Sequence, residues 1–194
     1  TLSVPGTGSI WLANQPTGTS LFGDVVGENS PVAVPLGALG NPGSLYFQVT
    51  GATARDPFPP LFDADGTGEE NASIGTVFGL SGAIAPYSSL VGVFLDLDTS
   101  HPTPAFSDFG SLGSRSFVSL SPSLQQVFFV GDGLTGAGSG TRQRFIVPAG
   151  ADELYLATFD TGSFNNSGIL QVTLIPEPST ALLLAVGLAG MAAR

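Results

Sequence analysis

The chain contains no cysteine. Neither a disulfide framework nor a thiol nucleophile is therefore open to it. Secreted eukaryotic domains usually carry disulfides, so this absence fits an exported bacterial protein better. Basic residues are scarce as well, five against 15 acids, and the formal net charge is −10. Binding a polyanion needs clustered Lys and Arg, which excludes nucleic acid as a partner. An acidic surface favours divalent cations instead. There is one histidine, His101, in the stretch "TSHPTPAF". One His and no Cys exclude a His/Cys zinc site. No nucleophile elbow accompanies His101, so it reads as an exposed loop residue rather than a catalytic base.

What the chain does have is 27 glycines and 15 prolines in 194 residues. They punctuate it too often for long helices. Yet 42% of residues are hydrophobic, 14 of them Phe, enough to bury a core. The profile is that of one all-β domain with many turns, plus extensions. Residues 1–20 have no basic n-region followed by an apolar run, so they do not read as a signal peptide. The expectation is a signal already removed, or a fragment.

Alternation of apolar and polar residues marks the strands. Residues 4–14 read as an N-terminal strand. Residues 17–43 read as irregular. "SLYFQVT" sets Leu45, Phe47 and Val49 on one face. Residues 55–71 read as loop, because three prolines, two glycines and five acids oppose a ladder. "LVGVFL", "QVFFV", residues 142–147, "ELYLATF" and "ILQVTLI" complete the strand set. Ser121-Pro122 predicts one helical turn, with Ser as N-cap and Pro at the first position. Seven or eight strands with turns between them predict an antiparallel β-sandwich of jelly-roll type.

Few motifs carry chemistry. Asp96 and Asp98, two apart at a strand end, have the residue types of a glycosidase pair but also those of a solvated turn. "GAGSG" lacks the Lys-Ser/Thr and the helix of a phosphate cradle, and reads as a flexible hairpin loop. Oxygen-rich loops suit calcium, which takes six to eight oxygen ligands. "DADGTGEE" has the acids of half an EF-hand loop, but its Gly falls at the fourth position rather than the sixth. "FDTGSFNNSG" offers the Asp160 carboxylate and the Asn165 and Asn166 amides in a tight connection between strands. From residue types alone two readings stand for it: a cation site, or a turn whose Asp and Asn cap backbone N–H groups.

The stretch from about residue 50 to 175 resembles the calcium-dependent, galactose-binding bacterial lectins of the PA-IL-like family. "VTGATARD", "SLVGVFLD" and above all "TRQRFIVPAGADELYLATFDTGSFNNSGILQVTLI" carry the likeness. The resemblance implies a jelly-roll sandwich with Ca2+ as cofactor. It implies ligation by Asp160, Asn165 and Asn166, by a backbone carbonyl between Thr161 and Ser163, and by a distant carbonyl at about Arg55. It implies galactose-like sugars or exopolysaccharide as partners, docked by hydroxyls on the ion, with Asp160, Asn165, Glu70 and Asn71 nearest the sugar. The chain departs from the family in a loop two residues shorter between Asp160 and Asn165, and in Arg55 at an aromatic position. It also carries about thirty additional residues, 96–125.

The end of the chain is "PEPSTALLLAVGLAGMAAR". Residues 181–193 carry no charge and, as a helix, span roughly 20 Å, short of the ~30 Å hydrocarbon core. The run has no polar face for packing as a surface helix. The order Pro-Glu-Pro, apolar helix, basic terminus resembles the PEP-CTERM sorting signal of Gram-negative bacteria. Here Pro176, Glu177 and Pro178 form the motif and Arg194 is the basic terminus. The resemblance implies export, transient contact with the inner membrane, processing by an exosortase-type enzyme, and a final place at the cell surface or in the extracellular matrix. The expected division is a sandwich over residues 1–175 and a sorting segment with a short apolar helix over 176–194. Two functions follow as expectations. One is a non-enzymatic carbohydrate-binding protein with a calcium-assisted site, in which an oligomer would add avidity. The other is a structural protein of a biofilm or exopolysaccharide matrix that has lost sugar binding. An esterase or glycosidase ranks third.

Overall fold

A computed structural model describes residues 1–56 and 59–177. Strands are numbered in chain order. Alternating burial along β5 (Ser44–Ala54) and β16 (Ser167–Pro176) turns Leu45, Phe47, Val49, Leu170 and Val172 inward. These two long strands pair antiparallel over ten residues, with Val49 opposite Val172. On either side lie β1 (Leu2–Pro5) and β14 (Arg144–Ile146), and β10 (Ser119–Leu120) adds a parallel edge to β14. The second sheet runs β11 (Phe128–Phe129), β8 (Leu90–Leu95), β15 (Glu153–Thr158), β4 (Val32–Pro35), all antiparallel.

Counted along the chain, the eight antiparallel strands β1, β4, β5, β8, β11, β14, β15 and β16 form sheets ordered first-eighth-third-sixth and second-seventh-fourth-fifth. That is a jelly-roll sandwich, as expected from the strand count. Phe145 of β14 is fully buried and meets Phe128 of the opposite sheet with ring centroids 5.6 Å apart. Phe47 lies edge-on to the same ring at 4.9 Å. The core is thus an aromatic seam between the two sheets. Three smaller units decorate it: the hairpin β2 (Ser20–Leu21) to β3 (Asp24–Val25); the sheet of β6 (Asn71–Ile74), β7 (Ala83–Pro86) and β9 (Ser107–Asp108); and the hairpin β12 (Leu134–Gly136) to β13 (Ser139–Arg142).

Several expectations need correction. The N-terminal strand stops at Pro5, where Gly8 N–H bonds to the Pro5 carbonyl, and Ile10–Leu12 form a 3-10 helix. That helix packs against β8 and β15 and buries Trp11 completely. A straight strand would have left one face of this apolar run in water. No helical turn forms at Ser121-Pro122. Among the described residues the one α-turn is α1 (Leu112–Arg115), where Ser111 and Ser114 cap each other. The glycine-rich run after Val130 does form a hairpin, β12 to β13, as expected. Residues 96–125, whose role the sequence left open, are largely exposed and reach the core at a few points. Phe109 is buried, and Arg115 donates to the Gly68 carbonyl beneath α1. The last strand includes Pro176, one residue beyond the expected boundary. Glu177 follows it with its N–H on the Ser44 carbonyl. Pro178, Arg194 and the expected C-terminal helix lie outside the described residues.

Candidate cation and ligand site

β15 belongs to one sheet and β16 to the other, so residues 159–166 must cross the end of the sandwich. The β5–β16 register sets Ala54 opposite Ser167, which delivers Arg55 and Asp56 beside this crossing. Ser88 and Ser89 bond to both backbone groups of Phe159, and this turn brings Tyr87 alongside. The β2–β3 hairpin completes the wall. A Cβ added to Gly162 would lie 2.5 Å from the Phe22 carbonyl oxygen, so hairpin and loop approach closely only because residue 162 is glycine. The result is an open cleft of about 460 Å³, with Arg55, Tyr87, Asp160 and Asn165 among its lining residues.

Asp160 sits at its base, 6% exposed. One carboxylate oxygen accepts the Thr161 N–H at 2.6 Å, and the other accepts the Asn166 amide at 3.0 Å. The Asp160 carbonyl accepts the indole N–H of Trp11 at 3.2 Å. Burial raises the Asp160 pKa, and these donors offset part of the rise. Arg55 stacks its guanidinium over the Tyr87 ring, 4.5 Å from the centroid, and is ion-paired with Glu70. The rings of Phe22 and Phe164 stand 51% and 56% exposed on the cleft rim.

Of the predicted ligands, Asp160 and Asn166 come together, and Ser163 lies buried in the same loop. Thr161 is exposed on the cleft wall. Asn165 lines the cleft, but its amide donates to Asp56 at 3.1 Å rather than facing Asp160. Arg55 contributes its side chain to the wall. Of the predicted sugar contacts, Glu70 reaches the cleft only through Arg55. Asn71 is turned to the Glu69 and Gly110 carbonyls, at 2.9 and 3.0 Å, and is absent from the lining. His101 is not a free loop residue. It is half-buried with Nε2 2.9 Å from Asp96, whose pKa falls chiefly because of that contact. The other Asp96 oxygen caps the Asp98 and Thr99 N–H groups, so Asp96 serves its own turn.

One residue escaped the sequence reading. Asp24, in β3, is 1% exposed, and neither carboxylate oxygen has a hydrogen-bond partner. Burial raises its pKa, and the charge of Asp160 raises it further. Backbone at Ser163 and Phe164 and the Ser9 hydroxyl offset part of this, although none closes into a hydrogen bond of normal geometry. The available signal was an acid inside the apolar run "LFGDVV", since Asp is seldom buried without a purpose. Among the described residues no three Asp, Glu, His or Cys side chains converge as a metal cluster. The donor set here is two carboxylates plus neutral oxygens, which is chemistry that calcium accepts and zinc does not favour. No family model, curated protein or solved structure matches the chain.

Proposed function

We propose that this chain is an exported, non-enzymatic carbohydrate-binding protein whose sugar site is the cleft between the β2–β3 hairpin and residues 159–166. The observation that carries the reading is Asp160 at the base of that cleft, bonded to the Asn166 amide, whose own carbonyl oxygen is buried without a partner. Asp160, Asn166 and backbone carbonyls of the loop would hold a calcium ion. When bound, the ion supplies a positive centre on which two neighbouring sugar hydroxyls can displace water. The cleft's own groups do the rest. Exposed Phe22 and Phe164 offer apolar faces to the C–H surface of a galactose-like ring. Arg55 donates to ring substituents, held in place by Tyr87 and Glu70. Asp56 accepts from sugar O–H groups. Such an open, wet site binds weakly, so several copies on one surface would supply the avidity.

The PEP-CTERM-like tail supports a place at the cell surface or in the matrix after transient inner-membrane contact and exosortase-type processing. A structural matrix protein that has lost sugar binding is the second reading. It is favoured by the Asn165 amide, which is committed to Asp56. Calorimetric titration with Ca2+, then with galactose in Ca2+, separates the two. Heat in both steps, lost in Asp160→Asn, is the expected result. Heat with calcium but none with any tested sugar or exopolysaccharide leaves the matrix reading. Heat with neither overturns the calcium-assisted lectin.

A further inference from the structure

Among the described residues, ten buried side-chain polar atoms lack a partner, and five of them belong to the 159–166 loop or to residues packed near it. They are both oxygens of Asp24, the Asn166 carbonyl oxygen and the hydroxyls of Ser9 and Ser163. Asp24 lies against Ser9, Ser163 and Phe164 and within electrostatic reach of Asp160. Asn166 is tied to Asp160 by its amide and to Ser163 by its backbone. The residues are 1% to 6% exposed, and Ser163 is fully buried. A buried polar group without a partner is costly, and acceptors that outnumber their donors call for a positively charged partner. Three of the five are pure acceptors. Arg55 is occupied by Glu70 and Tyr87.

We propose that these oxygens bind one hard divalent cation, with Asp24 of the N-terminal hairpin as a carboxylate ligand beside Asp160 and Asn166. The inference rests on the cation of the reading above and not on its sugar. Its consequence is a link across the fold. Asp24 follows Phe22 by two residues, and Asp160 and Asn166 flank Phe164. The ion therefore clamps together the two segments that carry the aromatic rim, and the rim is assembled by cation binding before any sugar arrives. Two carboxylates and three neutral oxygens match calcium's preferences, and carboxylate number sets its affinity.

The test uses the full chain stripped with chelator. Tb3+ is added, and its luminescence is excited through Trp11, the single tryptophan, whose indole bonds to the Asp160 carbonyl. Ca2+ competition gives the affinity, and a thermal melt with and without Ca2+ gives an independent reading. The expected result is saturable emission, displacement by Ca2+ and a melting temperature higher by several degrees. Asp24→Asn weakens the Ca2+ affinity about tenfold or more, while Asp98→Asn, exposed beyond the far end of β8, leaves it unchanged. Should Asp24→Asn fail to fold, Ser163→Ala replaces it, with a smaller loss expected in the same assay. Normal cation affinity in Asp24→Asn, with loss in Asp160→Asn, overturns the inference and leaves the calcium-lectin reading standing. A cation response that depends on Asp24, without any galactose binding, does the reverse. No response to Tb3+ or Ca2+ in the native chain overturns the inference, and galactose heat in chelator then decides the sugar half separately. Unchanged or greater stability of Asp24→Asn in every condition, with no cation response, would mean that Asp24 is a protonated carboxyl and also overturns it.

Discussion

Asp65→Asn should make the protein more stable at neutral pH. Asp65 lies on the loop that ends in Glu70, the partner of Arg55. Its pKa is pushed from 3.8 to about 6, mostly by burial and then by the charges of Asp132 and Asp63. One oxygen accepts the Asp132 N–H at 3.2 Å, and the other is buried without a partner. The folded carboxyl holds its proton more tightly than the unfolded one. Its stabilising term is therefore complete below about pH 4, and it is lost as the pH rises through about 6. A gap of about two units at ~1.4 kcal/mol each sets a ceiling of ~3 kcal/mol. Asp65 keeps part of its surface in water, so solvent screening reduces the working figure to about 1–2 kcal/mol. Asn retains the acceptor for Asp132 and carries no charge. Urea unfolding of both chains in chelator, at about pH 4.5 and about pH 7.5, reads the effect. The variant should gain about 1–2 kcal/mol at the higher pH and little at the lower. A variant less stable than the native chain at neutral pH, or a difference independent of pH, refutes the reasoning.

Two further outcomes concern the fold. Phe145→Ala removes the ring shared by Phe47, Phe117 and Phe128 and should cost about 3–5 kcal/mol in denaturant melts; a loss under ~1 kcal/mol would mean that the seam is not the core. Glu177 accepts from Ser44, from Tyr46 at 2.7 Å and from Arg144 at 2.7 Å, and these contacts, Ser44 foremost, hold its pKa below 4.5. That contribution is present above the ordinary carboxylate range and lost as the pH falls through the depressed value. Glu177→Gln should therefore melt lower than the native chain at neutral pH, and the gap should close in acid; equal melting at neutral pH would show that the contact contributes nothing.

The strands were legible where one face is buried and the other wet. In β5 and β16 the period of two is written directly as Leu45-Phe47-Val49 and Leu170-Val172. The crossing loop was legible for another reason. Asp160, Asn165 and Asn166 are close in sequence, so a tight turn must keep them close in space. Asp24 was hidden, because its neighbours at the site lie far along the chain and only the hairpin's seat against Gly162 brings it there. Residues 96–125 were hidden likewise. Phe109 and Phe117 have no periodic partners nearby, and they gain meaning only from Phe129 and Phe145.

Composition and alternation by themselves determined an acidic, cysteine-free all-β chain with turns at its glycines and prolines. These are local properties, fixed by backbone preference and by which side chains avoid water. Which loops meet at the end of the sandwich was decided only by the tertiary structure. The jelly-roll order places β1, β16 and β5 side by side, and that order depends on pairing across more than a hundred residues. The seat of the β2–β3 hairpin against Gly162 likewise set Asp24 beside the 159–166 loop, while Asn71 faces away from the cleft.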